Sequence, residues 1–268
     1  MDYKKKATEI RINVLKMIHA AKSGHPGSSM SVVEILMALY YGRVMHVDPG
    51  NPRWDGRDRL VLSKGHASPS LYYVLADMGF FSKDDLMSLR RLHSHLQGHC
   101  DVCRTPGVDM TSGSLGQGAA IAAGMALAAK QQGRSYKVYS IIGDGEAQEG
   151  IIWEMAMSCA HYKLDNYTLI LDNNGFQIDG SNDSVMSLGD IKAKFESFGF
   201  NVIKVDGHDV EALINALNAP ACGKPKCIIA KTVKGRGVSF MENNPKWHGK
   251  LIDDESMAKA MAELEAVL

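Results

Sequence analysis

The sequence predicts an α/β fold in which helices flank a parallel central sheet. Five short apolar runs, rich in β-branched residues, show little alternation with polar residues, which is typical of strands buried on both faces. They are RLVLS (59–63), KVYSII (137–142), YTLIL (167–171), FNVIKV (200–205) and CIIAKT (227–232). Segments with a helical spacing of apolar residues separate these runs, and strands that alternate with helices form parallel sheets.

The helical segments cover most of the remaining chain, apart from a loop-rich stretch at about 80–115. We expect them at about 4–21, 31–45, 66–79, 116–131, 147–162, 188–198 and 209–218. No internal repeat and no Pro/Gly/Ser-rich linker divides the chain. The prediction is therefore a single domain over residues 1–268, with residues from about 250 to 268 as a peripheral C-terminal tail.

Composition argues against several classes of protein. Lys plus Arg and Asp plus Glu number 30 each, so no excess of positive charge favours nucleic acid or an acidic membrane as a partner. The N-terminal segment mixes charges with apolar residues, unlike a signal peptide, and no run approaches the roughly 18 apolar residues of a membrane span. Five cysteines, an odd number, are more typical of reduced thiols than of a disulfide framework. These features favour a cytoplasmic protein.

Polar residues follow two of the predicted strands at the point where each strand ends. Asp144 stands between two glycines in GDGEAQEG (143–150), and Asn173 and Asn174 follow YTLIL. Ligands of parallel α/β sheets bind outside the carboxyl ends of the strands. One carboxylate and one amide suit a metal that also binds phosphate oxygens, because Mg²⁺ prefers a few protein oxygens plus phosphate. Glycines beside Asp144 let backbone N–H groups approach an anion. The pattern indicates a metal-bridged diphosphate.

The order of the motifs along the chain resembles that of transketolases. The motifs are KSGHPG, DRLVLSKGH, QGHCDVCRTPGVDMTSGSLGQG, IIGDGEAQEG, DNNGFQIDG, VDGHD and KTVKGRGVSF. Asn174 lies 30 positions after Asp144, as in the signature of thiamine-diphosphate enzymes. The resemblance covers almost the whole chain and implies the N-terminal, cofactor-phosphate (PP) domain of a transketolase.

The resemblance also implies a ligand set. Asp144, Asn174 and the main-chain carbonyl of Phe176 would hold Mg²⁺, or another divalent cation such as Ca²⁺ or Mn²⁺. The residues implied to contact thiamine diphosphate are His66, Gly113, Leu115, Gly145, Asp144 and Asn174. His66 and Gly145 match positions at the diphosphate, and the backbone near Gly113 and Leu115 matches the loop at the aminopyrimidine.

Three further histidines and two glutamates match functional positions of the family. His25, His99 and His248 resemble the substrate-channel histidines. A neutral imidazole both donates and accepts hydrogen bonds, which suits proton shifts on sugar hydroxyls. Glu149 and Glu154 resemble the interface carboxylates that link paired sites, although their positions also fit a solvated helix face.

The family site needs more than this chain supplies. A glutamate that contacts the aminopyrimidine lies in the family's next domain, the pyrimidine-binding domain, which has no counterpart in these residues. The resemblance therefore implies the N-terminal subunit of a split transketolase, which forms an α2β2 heterotetramer with a separately encoded C-terminal subunit. The pair would transfer a two-carbon ketol unit from a ketose phosphate to an aldose phosphate.

Two alternative functions stay open. A deoxyxylulose-phosphate synthase or an oxo-acid dehydrogenase subunit uses the same cofactor motif, although KSGHPG, the QGH loop and the WHG histidine favour transketolase. A non-catalytic, cofactor-binding regulatory module is the second alternative, since half of the family's site is missing. The substrate-channel histidines argue against that alternative.

A rival metal site is possible in HSHLQGHCDVC (93–103). His93, His95, His99, Cys100 and Cys103 have ligand types and a Cys-x-x-Cys spacing that suit zinc, but no second cysteine pair lies nearby. Cys100 replaces a proline common in transketolases, and Ser114 stands where many single-chain members have proline.

Overall fold

A five-stranded, fully parallel sheet forms the centre of the computed structural model, which describes residues 1–268. The strands are β1 (Arg59–Leu62), β2 (Val138–Gly143), β3 (Tyr167–Asn173), β4 (Asn201–Asp206) and β5 (Lys226–Lys231), in the spatial order β1-β2-β3-β5-β4. The predicted α/β class and the parallel sheet are confirmed. Every predicted apolar run contributes a strand.

Helices cover both faces of the sheet. The α-helices are α1 (Tyr3–Ala21), α2 (Pro26–Ser31), α3 (Val33–Tyr40), α4 (Ser68–Asp77), α5 (Gln117–Gln131), α6 (Gly150–His161), α7 (Asn182–Val185), α8 (Ile191–Ser197), α9 (Val210–Asn218) and α10 (Asp254–Glu265). Short 3-10 helices span Gly65–Ala67, Lys83–Ser88, Glu146–Gln148 and Pro245–His248. None of the helices combines the length and the apolar character that a membrane crossing needs.

Two hydrophobic clusters, one on each face, explain the continuous apolar runs. The larger cluster joins the sheet to the N-terminal helices, and the smaller one joins it to α5, α6 and α8. Neighbouring residues of one strand alternate between them: Ile141 packs in the larger cluster and Ile142 in the smaller one. Because both faces of the sheet are covered, both sets of side chains must be apolar.

One prediction about the helices is wrong. The single helix expected at 31–45 is replaced by α2 and α3, which meet at Val32 and together span Pro26–Tyr40. Pro26 opens α2, a position where its missing N–H costs nothing. The sequence of α2, PGSSMS, has no apolar periodicity, yet all six residues are buried. Some of their polar groups form hydrogen bonds with neighbours, as in the 2.6 Å bond from Ser70 Oγ to the Ser29 carbonyl.

The segments at 80–115 and after 250 complete the chain. Residues 80–115 contain only the short 3-10 helix Lys83–Ser88, as the loop-rich prediction expects. The C-terminal segment forms α10, which packs on α1 and buries Ala260 and Leu264. The loops that follow β1, β2 and β3 meet at the carboxyl edge of the sheet.

Candidate active site

A cavity of about 340 Å³ opens at the carboxyl edge of the sheet. All but one of the predicted site residues line it. They are His25, His66, His99, Gly113, Leu115, Asp144, Gly145, Glu149, Asn174, Phe176 and His248. Glu154 is the exception, because it lies on the exposed side of α6 in a shallow groove between α5 and α6. Residues separated by more than 200 positions thus converge on one site.

Asp144 is a buried carboxylate without a cationic partner. It follows the last residue of β2 and is 1% exposed. Its Oδ1 accepts a hydrogen bond of 2.6 Å from Asn173 Nδ2, and its Oδ2 accepts one from the backbone N–H of Gly175. Burial raises the pKa of Asp144, and these hydrogen bonds offset the rise only in part. A cation at this carboxylate would relieve the cost of its buried charge.

Asn174 and Phe176 line the same cavity as this carboxylate and carry two more oxygens. Asn174 is 5% exposed, and its Oδ1 accepts the N–H of Phe176 at 3.0 Å. The carbonyl oxygen of Phe176 accepts no hydrogen bond from the chain. Carboxylate, amide and carbonyl oxygens are the ligands that Mg²⁺ and Ca²⁺ prefer. The donor set fits such an ion.

The oxygens of Asp144, Asn174 and Phe176, which we call the oxygen set, do not complete the coordination of a metal ion on their own. No group of three or more His, Cys, Asp or Glu side chains in the chain is arranged to hold a metal ion. Asp144 is the only carboxylate among these three groups, and Mg²⁺ in such sites takes its remaining oxygens from water and phosphate. Gly143 and Gly145 flank Asp144, and a Cβ at Gly143 would approach no atom closer than 4.0 Å. Space for a ligand therefore remains beside the carboxylate.

Four histidines form a cluster in the same cavity. The ring centroid of His25 lies 5.3 Å from the ring centroid of His66, 5.4 Å from that of His248 and 6.4 Å from that of His99. The rings of His66 and His248 are 5.1 Å apart. His25 directly precedes α2, His66 lies just after β1, and His248 ends the short helix Pro245–His248. The four rings therefore come from four separate parts of the chain.

The environment keeps these imidazoles neutral. Burial lowers the pKa of His25 to about 4 and that of His248 to about 3. Burial also lowers the pKa of His66 well below its usual value, and the nearby ammonium of Lys64 adds to the effect. At neutral pH these rings can both donate and accept hydrogen bonds.

The sequence analysis does not predict two buried lysines at the site. Lys64 is 1% exposed, and its Nζ bonds to the buried Asp172 and to the carbonyl of Ser28 at 3.3 Å. Lys234 is also 1% exposed, and its Nζ lies 3.0 Å from His248 Nδ1 and 3.3 Å from the carbonyl of Gln177. Both lysines lie shortly after a strand, as Asp144 does, and within the motifs DRLVLSKGH and KTVKGRGVSF.

The sequence analysis does not predict Glu146 as a site residue either. Its side chain forms hydrogen bonds with three loops of the cavity. Its Oε1 accepts hydrogen bonds from Ser63 Oγ and, at 2.8 Å, from the N–H of Gly116. Its Oε2 accepts the N–H of Gly143 at 3.2 Å. Burial raises the pKa of Glu146, which is 2% exposed. The side chain thus fixes the ends of β1 and β2 relative to the start of α5.

The zinc alternative finds no assembled ligand set. Cys100 is buried, whereas Cys103 is exposed. His95 Nε2 lies 3.2 Å from an oxygen of Asp85, and His99 faces the cavity. The side chains of this loop that could bind zinc therefore lie in different surroundings and do not form one site.

Comparison with known proteins agrees with this geometry. The sequence profile of the family described as "Transketolase, thiamine diphosphate binding domain" matches residues 3–265. The chain belongs to the transketolase family. Members of this family are thiamine-diphosphate-dependent transferases. The identification made from the motifs is confirmed.

Two relatives have nearly the same length as this chain. The "6-deoxy-6-sulfo-D-fructose transketolase subunit SqwG" of Clostridium sp. (strain MSTE9) is 43% identical over 267 residues, which cover 99% of this chain and 97% of the relative. A subunit of the "Apulose-4-phosphate transketolase" of Actinobacillus succinogenes is 37% identical and covers 98% of this chain and 96% of the relative. Both names describe subunits.

Longer transketolases match over part of their length. Human transketolase is 42% identical over 260 residues, which cover 96% of this chain but 40% of the human protein. The crystal structure of transketolase from Campylobacter jejuni superposes with a TM-score of 0.92 at 37% identity, over 99% of this chain and 43% of that one. The fold is therefore that of the transketolase PP domain.

Proposed function

We propose that this chain is the N-terminal subunit of a two-subunit transketolase, which transfers a two-carbon ketol unit from a ketose phosphate to an aldose phosphate. One observation carries the proposal: a single cavity joins the oxygen set around Asp144 to a cluster of four neutral histidines. The nearly equal length of the two relatives named as transketolase subunits supports the division into two chains.

The oxygen set would anchor the cofactor. Asp144, Asn174 and the carbonyl of Phe176 would hold Mg²⁺, with Ca²⁺ or Mn²⁺ as substitutes. His66 and the N–H of Gly145 would bind the diphosphate, and the backbone near Gly113 and Leu115 would contact the aminopyrimidine. When bound, thiamine diphosphate supplies the electron sink that carbon–carbon cleavage needs.

The remaining histidines would handle the substrates. His25, His99 and His248 line the cavity as imidazoles whose pKa values lie below the usual range. Such neutral rings would accept a hydrogen bond from one sugar hydroxyl and donate one to another, and they would hold the ketose and the aldose in a reactive orientation.

The roles of His25 and His66 can be separated by mutation. We expect His66→Ala to weaken thiamine diphosphate binding about tenfold or more, since it removes a hydrogen bond to a charged group. His25→Ala should leave that affinity within about twofold and lower kcat about 100-fold. Calorimetry for binding and steady-state kinetics for turnover measure the two effects, and the reverse pattern would contradict these roles.

A partner subunit would complete the site. Three carboxylates line the cavity, but Asp144 is assigned to the metal, Glu146 binds three loops, and Glu149 is exposed. The glutamate for the aminopyrimidine would therefore come from the C-terminal subunit. Leu115 and Ile178, which line the cavity and are 37% and 65% exposed, suit contact with that subunit. Glu149 and Glu154 would lie at the interface of an α2β2 heterotetramer.

The thiols support a cytoplasmic location. All five cysteines are free, and two of them are exposed. Exposed free thiols suit a reducing compartment, so we place the pair of subunits in the cytoplasm.

The test is ketol transfer from xylulose 5-phosphate to ribose 5-phosphate with Mg²⁺ and thiamine diphosphate. This chain, a candidate C-terminal partner and their mixture are assayed separately, and we expect activity only in the mixture. Activity of this chain alone would contradict the division of the site. A mixture that binds the cofactor is also tested with 6-deoxy-6-sulfofructose and apulose 4-phosphate, the sugars in the relatives' names. Inactivity with every donor would reject ketol transfer.

A further inference from the structure

The side chain of Arg90 bridges two loops that carry histidines of the cavity. Its Nη1 donates to Ser23 Oγ at 2.7 Å, and its Nη2 donates to the carbonyl of Gly98 at 3.2 Å. Ser23 lies two residues before His25, and Gly98 directly precedes His99. One planar guanidinium therefore binds both loops at once, which a single-point ammonium does less well.

The backbone holds Arg90 in place for this contact. Its N–H donates to the carbonyl of Leu96 at 2.9 Å, and its φ of 60° lies in the left-handed region that non-glycine residues rarely adopt. A Cβ at Gly98 would lie 3.1 Å from Arg90 Cζ and Nε, so the guanidinium packs directly on the loop backbone. Nε itself is buried without a hydrogen-bond partner, a cost that an apolar side chain would avoid.

We propose that Arg90 is a positioning residue, which sets His25 and His99 at their places across the cavity. The two ring centroids lie 6.4 Å apart. Arg90 does not line the cavity itself, so its effect on a substrate passes through the two histidines.

The charges around the two rings support this role. The groups that face His25 are Arg90, Lys234 and the rings of His66, His99 and His248, and none of these carries a negative charge. His99 faces Arg90 and His25. After burial, the charge of Arg90 is the largest cause of the lowered pKa at both rings. Arg90 is thus the one cation that acts on both histidines.

The test measures ring protonation in this chain by NMR titration, so it needs neither partner nor cofactor. We expect Arg90→Met to raise the pKa of both His25 and His99 by about half a pH unit or more, since a charge a few ångströms away is removed. Arg90→Lys keeps the charge and should keep both pKa values low. Unchanged values in Arg90→Met, or a rise at only one ring, would overturn the proposal.

Tyr72→Phe is the matched control, because it loosens the same loop without changing charge. The single O–H of Tyr72 is shared between the carbonyls of Gln97 at 3.0 Å and His99 at 3.1 Å. This variant should leave the pKa of His25 unchanged, and a rise equal to that in Arg90→Met would show that loop packing, not Arg90, sets the protonation. If Arg90→Met does not fold, Ser23→Ala tests the bridge, and a crystal structure should then show the two rings farther apart than in the parent chain.

A consequence for turnover rests on the proposed function. In the complete two-subunit enzyme, Arg90→Met should lower kcat about tenfold or more and leave thiamine diphosphate affinity within about twofold. An unchanged kcat beside raised pKa values would overturn the consequence for catalysis. An inactive parent enzyme, by contrast, would contradict the proposed function and leave the NMR result standing.

Discussion

The Nζ atom of Lys234 lies 3.0 Å from Nδ1 of His248. Burial lowers the pKa of Lys234 to about 8, and burial together with the nearby ammonium lowers that of His248 to about 3. An ammonium has no acceptor, so Nδ1 of the neutral ring must accept the hydrogen bond. The ring proton then sits on Nε2. Lys234 thus fixes the tautomer in which His248 offers Nε2–H as a donor.

Replacing Lys234 should allow His248 to adopt its other tautomer. Lys234→Met removes the donor and the charge, so we expect the pKa of His248 to rise and its Nδ1-H tautomer to become populated. Long-range ¹H–¹⁵N NMR distinguishes the two tautomers. Lys231→Met, at an exposed lysine three residues earlier, is the control and should leave His248 unchanged. Retention of the Nε2-H tautomer without Lys234 would contradict the assignment.

The depressed histidine pKa values predict a loss of stability in mild acid. His25 and His248 have folded-state pKa values of about 4 and 3, below the ordinary value of 6.5. Between the folded and the unfolded pKa, the unfolded state binds more protons, so the free energy of unfolding falls as pH drops below about 6.5. After allowance for solvent screening, each ring should contribute about 1 kcal/mol of this loss by pH 5.

Urea unfolding at pH 7 and pH 5 measures this effect. His248→Gln should lose less stability than the parent chain over that interval, because glutamine takes up no proton. His161→Gln, at an exposed position on α6, is the control and should follow the parent. Equal losses in His248→Gln and the parent chain would show that His248 titrates normally.

The sheet is predictable from sequence because burial on both faces leaves a direct pattern. Ile141 and Ile142 pack in different clusters, so burial favours apolar residues on both faces of the strand. No such pattern marks α2, in which the buried Ser31 hydroxyl and Ser29 carbonyl form hydrogen bonds to Asp172 and Ser70 elsewhere in the chain. Hydrophobic periodicity cannot detect a helix that is buried through its polar groups.

The site was predictable where ligand chemistry fixes the residue type. Asp144 and Asn174 stand at strand ends and carry the oxygens that a metal needs, so residue type and position indicate them together. Lys64 and Glu146 carry charges that are normally solvated, and only the tertiary structure shows that they are buried. Resemblance to transketolases identified the histidines, since composition and spacing alone do not distinguish them from surface residues.

Glu146 lines the cavity, but we expect its role to be structural. Its two oxygens accept from three donors, so Glu146→Gln turns an acceptor into a donor that faces an N–H or a hydroxyl. We expect a loss of about 1–3 kcal/mol in the free energy of unfolding. Glu154→Gln is the matched control, and at an exposed site it should stay within about 0.5 kcal/mol of the parent. Similar stabilities of the two variants in urea would show that Glu146 does not fix the three loops.

Asp144 should show opposite effects on stability and on ligand binding. Its buried charge is only partly compensated in the chain alone, as the raised pKa indicates, so Asp144→Asn removes a cost of folding. An asparagine can still accept the N–H of Gly175, and a flipped Asn173 amide can accept from its new NH₂ group. We expect the ligand-free variant to gain about 1 kcal/mol, a rise of about 2–4 °C in Tm by calorimetry.

The same change should remove the charged ligand of the metal. With Mg²⁺ present, thiamine diphosphate affinity of Asp144→Asn should fall about 100-fold or more, and its dependence on Mg²⁺ concentration should disappear. Asp165→Asn, at a surface carboxylate paired with Lys130, is the control and should bind as the parent does. A variant that is less stable and yet binds normally would contradict both expectations, because Asp144 would then serve the fold and not the metal. A gain in stability with loss of binding means that the chain carries an unfavourable buried charge because the bound metal compensates it.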